Sequence, residues 1–132
     1  MMNEDNNQAF SYRRALEALR NGVPNRDAVK VLGCNQPKAE SKFLAFLDQV
    51  KDIDNQTPTS LGMLISGGFG TGKSHLLEYL EYQALKSGFV CSRVAISKET
   101  PLFNLEKVFK SAIDKGRLPG DNTGQLIDEL GH

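Results

Sequence analysis

The sequence carries no net charge: 16 basic and 16 acidic residues cancel. That balance makes no demand for nucleic acid or an anionic membrane as partner. It contains no run of about 18 apolar residues, which excludes a membrane-spanning helix. Its opening stretch, MMNEDNNQAF, has neither a basic segment nor an apolar one, so it does not follow the pattern of a secretory signal. Cysteine is scarce. Cys34 and Cys91 stand far apart, with no CxxC and no Cys/His spacing. That excludes a recognisable zinc motif or disulfide framework and leaves two reduced, partly buried thiols in a cytosolic protein. What is present, 132 residues with 39% apolar and 24% charged, suits one globular domain.

Residues 1–8 are polar and expected to be loose. A helical arm is read over residues 9–58. AFSYRRALEALRNG has Tyr12, Ala15, Leu16 and Leu19 at helical spacing, with Gly22 placed to end the helix and Pro24 beyond it. Asn25 is a cap for a short second helix, RDAVKVL, which Gly33 ends. Pro37 suits the first turn of a third, with Phe43, Phe46, Leu47 and Val50 in one stripe. DIDNQTPTS reads as a loop.

The remainder, residues 59–132, reads as an α/β unit. LGMLIS is expected to be a buried strand and FVCSRVAIS a second. Between them KSHLLEYLEYQALKSG is helical, with Leu77, Leu80 and Ala84 on one side and Gly88 as the stop. Asn104 caps a further helix, LEKVFKSAIDKG, whose Leu105, Val108, Phe109, Ala112 and Ile113 share one face and which Gly116 closes. RLPGDNTG then makes a turn. Strand, glycine-rich loop, helix, strand, helix is the order of a parallel α/β unit.

The glycine-rich loop carries the chemistry. Gly67, Gly68, Phe69, Gly70, Thr71, Gly72, Lys73 and Ser74 match GxxxxGK[ST], the phosphate-binding P-loop or Walker A pattern. Glycines reach φ > 0, so successive backbone N–H groups turn inward around an anion. The following helix aims its free N–H groups and positive dipole end at the same place. The dipole contributes only ~1 kcal/mol, so several donors and a cation act together. Lys73 supplies the cation, and Ser74 a hydroxyl for Mg²⁺, which prefers hard oxygen ligands. With glycine near 7% of residues, a chance match arises on the order of once in a few hundred chains. A strand before and a helix after make chance a poorer account still.

RRALEALRNGVPNRDAV, ISGGFGTGKSHLLEYL and VAISKETPLFNLEKVF together resemble the ATP-binding P-loop proteins of BREX-type bacteriophage-defence systems. The resemblance covers roughly residues 11–120. The P-loop is generic to many NTPases, whereas NGVPNRDAV and ISKETPL point to this family. It implies an AAA+-like P-loop NTPase fold of three layers, here a partial unit behind the helical arm. It implies ATP and Mg²⁺ as ligands, DNA and other defence-system subunits as partners, homo-oligomers of the full-length parent, and a cytoplasmic location. By analogy with related AAA+ folds, Gly22 to Arg26 contact the adenine. Read from its residues alone, the same stretch is a helix-to-helix turn with an Asn25 cap.

A complete member would also carry a Walker B strand, a polar sensor and an arginine finger. The one acidic candidate is LIDE, with Asp128 55 residues after Lys73. PGDNTGQ before it is a turn, so TGQLIDEL is read as a helix start capped at Thr123, with Asp128 and Glu129 as solvent-side charges. The unit is therefore expected to stop short of Walker B. Two functions follow from different classes: the ATP-binding module of a defence ATPase, or a catalytically inert nucleotide-binding or scaffolding fragment. A small-molecule kinase would need an arginine-bearing lid, and only Arg117 is available late in the chain. His75 is expected to be a packed or surface helix residue. Ser97 to Phe103 lie where motor proteins carry a gripping loop, or form a helix entry with Leu102 and Phe103 packed inward. Arg13, Arg14 and Arg20 read as a solvated face.

Overall fold

The computed structural model describes residues 2–22, 26–52 and 62–120. The chain divides into two compact units, Met1–Gln83 and Ala84–His132.

In the first unit, α1 spans Met2–Asn21 and α2 Arg26–Leu32. The first helix begins at Met2, within the stretch expected to be loose. Once the later turns are formed, adding residues to a helix costs far less than starting one. Gly22 and Gly33 end α1 and α2 with φ of 63° and 64°, the left-handed conformation that glycine adopts without a Cβ penalty. Of the four apolar residues read at helical spacing in α1, only Ala15 is buried. Ala15 and Ala18 are buried with Ala28 of α2, while Tyr12, Leu16 and Leu19 are exposed. Small side chains let the two helices approach closely, and the larger ones are left outside. Arg14 donates from Nε to Asp27 at 3.1 Å across the same pair. The Asn25 cap lies outside the described residues.

The third helix, α3, spans Pro37–Lys51 with Pro37 in its first turn, as the sequence implies. Of its apolar stripe Leu47 is buried, Phe43 and Phe46 are half-buried and Val50 is exposed. The fourth, α4, spans Lys73–Lys86 and begins directly after the glycine-rich loop. Its residues Leu76, Tyr79 and Leu80 form the central cluster with Val29 of α2. Val29 is 1% exposed, and Cys34, Ala39, Phe43, Met63, Ile65 and Tyr82 pack around the group. Of Leu77, Leu80 and Ala84, read as one side of this helix, Leu80 and Ala84 are buried and Leu77 is exposed, the inward stripe running through Leu76 instead. Tyr79 donates its hydroxyl proton to Glu40 of α3 and accepts from Gln83 Nε2 at 2.7 Å. Neither Cys34 nor Cys91 is in a disulfide, and the Cys91 thiol donates to the Phe89 carbonyl at 3.9 Å.

LGMLIS is not in a strand over its described residues, 62–66. Met63 and Ile65 pack on the central cluster while Leu64 is 94% exposed, so burial alternates where the sequence reading expected a run buried throughout. Among the described residues the segment has no neighbouring strand, and a ladder needs a second strand with which to exchange N–H and C=O bonds.

In the second unit, Gly88 ends α4 with φ of 87°. FVCSRVAIS contributes only Cys91–Ser92 as strand β1. This pairs antiparallel with β2, Gly116–Arg117, in the register Cys91 to Arg117 and Ser92 to Gly116. Among the described residues this is the only sheet, and the two apolar runs do not pair in parallel. Between β1 and β2 lies α5, Leu105–Asp114. Asn104 caps it as expected, its side chain accepting from the Lys107 N–H at 3.1 Å. The helix ends at Asp114 with Lys115 as its cap; Gly116, expected to close it, is instead a buried residue of β2. The ladder bond there takes the place of a glycine turn. The apolar face of α5 does not pack inward: Leu105 and Phe109 are 74% and 68% exposed. Ser92 holds the helix end, donating its hydroxyl to the Ala112 carbonyl at 2.6 Å. TGQLIDEL, with Asp128 and Glu129, lies outside the described residues.

Candidate nucleotide site

The glycine-rich loop wraps around its own lysine. Gly70 and Gly72 have φ of 76° and 83°, which only glycine adopts without strain. A Cβ on Gly67 would lie 2.8 Å from Thr71 Oγ1, so a side chain there would push the Thr71 hydroxyl from its place. Thr71 donates its hydroxyl to the Gly68 carbonyl at 2.9 Å. The Lys73 ammonium donates to the Gly67 carbonyl at 2.7 Å and to the Gly68 carbonyl. These bonds set the cation at the mouth of the loop, on the side where the helix begins.

Ser74 is exposed on the first turn of α4. The intrahelical ladder starts with Leu76 N–H to the Gly72 carbonyl at 2.9 Å. The N–H groups of Lys73, Ser74 and His75 therefore have no helical partner. Three orphan donors, the helix dipole, an ammonium and a hydroxyl thus meet at one exposed place. That donor set matches a polyphosphate with its Mg²⁺: N–H and ammonium groups for the anion, a hard hydroxyl oxygen for the cation.

A cavity of about 590 Å³ opens there. One wall is the loop and helix start, residues 69–75. The other is helical: Ala18, Leu19 and Gly22 of the α1 end, and Ala28 of α2. The volume lies within the range of small-ligand sites, and a mostly apolar wall facing a few polar groups is how such sites are built. Phe69 stands fully exposed at the rim. Of the stretch Gly22 to Arg26, Gly22 lines the cavity, residues 23–25 lie outside the described residues, and Arg26 starts α2 with its Nε buried and without a hydrogen-bond partner.

Two features had no strong signal in the sequence. Ala18, Leu19 and Ala28 become the cavity wall only because α1 and α2 pack together. His75 lines the cavity too and bonds through Nε2 to the Gly33 carbonyl at 2.8 Å, 42 residues away along the chain. The loop of Ser97 to Thr100 is ordered by its own bonds: Ser97 donates to Glu99 at 2.6 Å and accepts from the Thr100 N–H at 3.3 Å. The Ser97 bond holds the Glu99 carboxyl below its usual pKa. Leu102 and Phe103 are 65% and 90% exposed, which corrects the inward-packing reading of this helix entry. Among the described residues no three of His, Cys, Asp and Glu gather as a metal-binding group. No helix among them is long and apolar enough to cross a membrane.

Comparison with curated proteins and with solved structures found no match. The model of the family described as BREX system ATP-binding protein BrxC/D matches residues 10–129, most of the chain and all of the site, and the chain belongs to that family.

Proposed function

We propose that this chain binds Mg-ATP, with the phosphates in the loop Gly67 to Ser74 and the nucleoside against the α1–α2 wall. One observation carries the reading. The loop that bears the Walker A pattern opens, through Lys73 and the unpaired N–H groups of α4, into a cavity large enough for a small ligand. Membership of an ATP-binding family supports the same conclusion.

The chemistry follows from the residues. The N–H groups at the start of α4 bind the phosphates, and Gly70 and Gly72 let the backbone approach them. Lys73 exchanges its bonds to the loop carbonyls for the β- and γ-phosphate oxygens and neutralises part of their charge. Ser74 gives its hydroxyl oxygen to Mg²⁺. Magnesium keeps most of its ligands as water and phosphate oxygen, so one protein hydroxyl suffices at this position. We infer too that the unit is an AAA+-like P-loop NTPase. Its wider role is in the cytoplasm with DNA and other defence-system subunits, a reading supported by the family and by the Walker A pattern.

Calorimetric titration of Mg-ATP into the wild-type chain and into Lys73→Ala tests the binding reading. Saturable binding by the first and none by the second is expected. Equal binding by both would move the nucleotide away from this loop.

A further inference from the structure

The cavity has two walls from parts of the chain far apart in sequence, and few groups fasten one to the other. The helical wall rests on α2, which has seven residues. A helix that short does not hold its shape alone. Its middle is fixed to α4 by Val29, packed among Leu76, Tyr79 and Leu80, and by Lys30, whose ammonium lies 5.7 Å from the centre of the Tyr82 ring. Its end is fixed by His75. Gly33 caps α2 with a positive φ, so its carbonyl has no place in the helical ladder. A carbonyl only accepts, so the imidazole carries its proton on Nε2 and donates to it at 2.8 Å.

His75 is one residue from Ser74. Its backbone N–H belongs to the open helix start, and its ring reaches the other wall. We propose that His75 is a positioning residue that locks the α1–α2 wall to the phosphate loop, so that affinity for the nucleoside part of the ligand depends on it and affinity for the phosphates does not. The proposal rests on the nucleotide-binding reading above. In this account the imidazole touches neither phosphate nor base. It sets the distance between the surface that carries Ala28 and the loop that carries Lys73.

The test compares two ligands in four proteins. Mg-ATP and Mg-tripolyphosphate are titrated into the wild type, His75→Ala, His75→Gln and Lys73→Ala, with the thermal midpoint of each free protein recorded. Loss of one part-buried hydrogen bond predicts that His75→Ala weakens ATP roughly fivefold to tenfold while tripolyphosphate stays within about twofold. A glutamine amide donates from a similar reach, so His75→Gln restores most of the ATP affinity. Lys73→Ala loses both ligands. Equal weakening of both ligands in His75→Ala would overturn the proposal, since general loosening of the fold does that. So would unchanged ATP affinity, or a glutamine variant no better than alanine. If the wild type binds neither ligand, the nucleotide reading itself falls and takes the proposal with it.

Discussion

Replacing Val29 by alanine tests how this short chain holds its second helix. Val29 is the most buried side chain described, 1% exposed, and it joins α2 to Leu76, Tyr79 and Leu80 of α4. The substitution removes two methyl-sized groups, which at about 0.8 kcal/mol each is ~1.6 kcal/mol of lost transfer energy. A residual hole of roughly 40 Å³, at about 24 cal/mol per Å³, adds ~1 kcal/mol. The expected loss is therefore about 2.5 kcal/mol, against a total of about 5–15 kcal/mol for a typical domain. Urea unfolding followed by circular dichroism reads it directly. With a slope of roughly 1–3 kcal/mol per molar, the midpoint falls by about 0.8–2.5 M at unchanged slope. Leu32→Ala on the same helix is the control: Leu32 is 52% exposed, and its loss should stay within about 0.5 kcal/mol. If the two variants lose the same amount, the cluster around Val29 does not hold α2, and the reasoning fails.

Tyr79→Phe deletes the hydroxyl that donates to Glu40 and accepts from Gln83, and should cost about 1.5 kcal/mol by thermal melt. It should also change the alkaline limb. The bond to Glu40, then burial, raise the Tyr79 pKa above 10.0, and burial raises that of Cys34 above 9.0. A raised folded-state pKa gives stability that is present below the unfolded value and lost as pH rises through the folded one. Wild-type stability should therefore decline above about pH 9, and less steeply in Tyr79→Phe; an identical alkaline limb would refute this assignment. Asn104→Ala removes the cap of α5 and should lower stability by about 1 kcal/mol, read by urea titration, whereas Asn104→Asp keeps most of it. Phe109→Glu alters an exposed side chain and should leave stability within about 0.5 kcal/mol of the wild type by thermal melt.

The helices were legible because their ends carry local chemistry. Gly22, Gly33 and Gly88 mark C-termini by the positive φ they supply, Pro37 marks a first turn and Asn104 a cap. The turn of the glycine-rich loop was legible for the same reason, since the positive φ of Gly70 and Gly72 is local to those residues. Facing was less so. Periodicity says which residues share a side and not what lies opposite it. Of the expected apolar residues of α1, Ala15 is buried, joined by Ala18, while Tyr12, Leu16 and Leu19 stay exposed, because helix pairs close best over small groups. Leu76 displaced Leu77 by one position, and the strong apolar stripe of α5 faces outward. Strands were the least legible, because a ladder depends on a neighbour that the local sequence does not name. Met63 and Ile65 show the alternation of a strand without its bonds. The bond from His75 to Gly33 spans 42 residues and leaves no local trace.

The central claim is that this loop binds nucleotide and that binding is coupled to the folded state. Thermal unfolding with and without saturating Mg-ATP, in the wild type and in Lys73→Ala, tests it most directly. At about 100 times Kd, binding to the folded state alone stabilises by ~2.7 kcal/mol, which predicts an upward shift of several degrees for the wild type and none for Lys73→Ala. A wild-type midpoint that does not move, in a chain that melts cooperatively, would contradict the account.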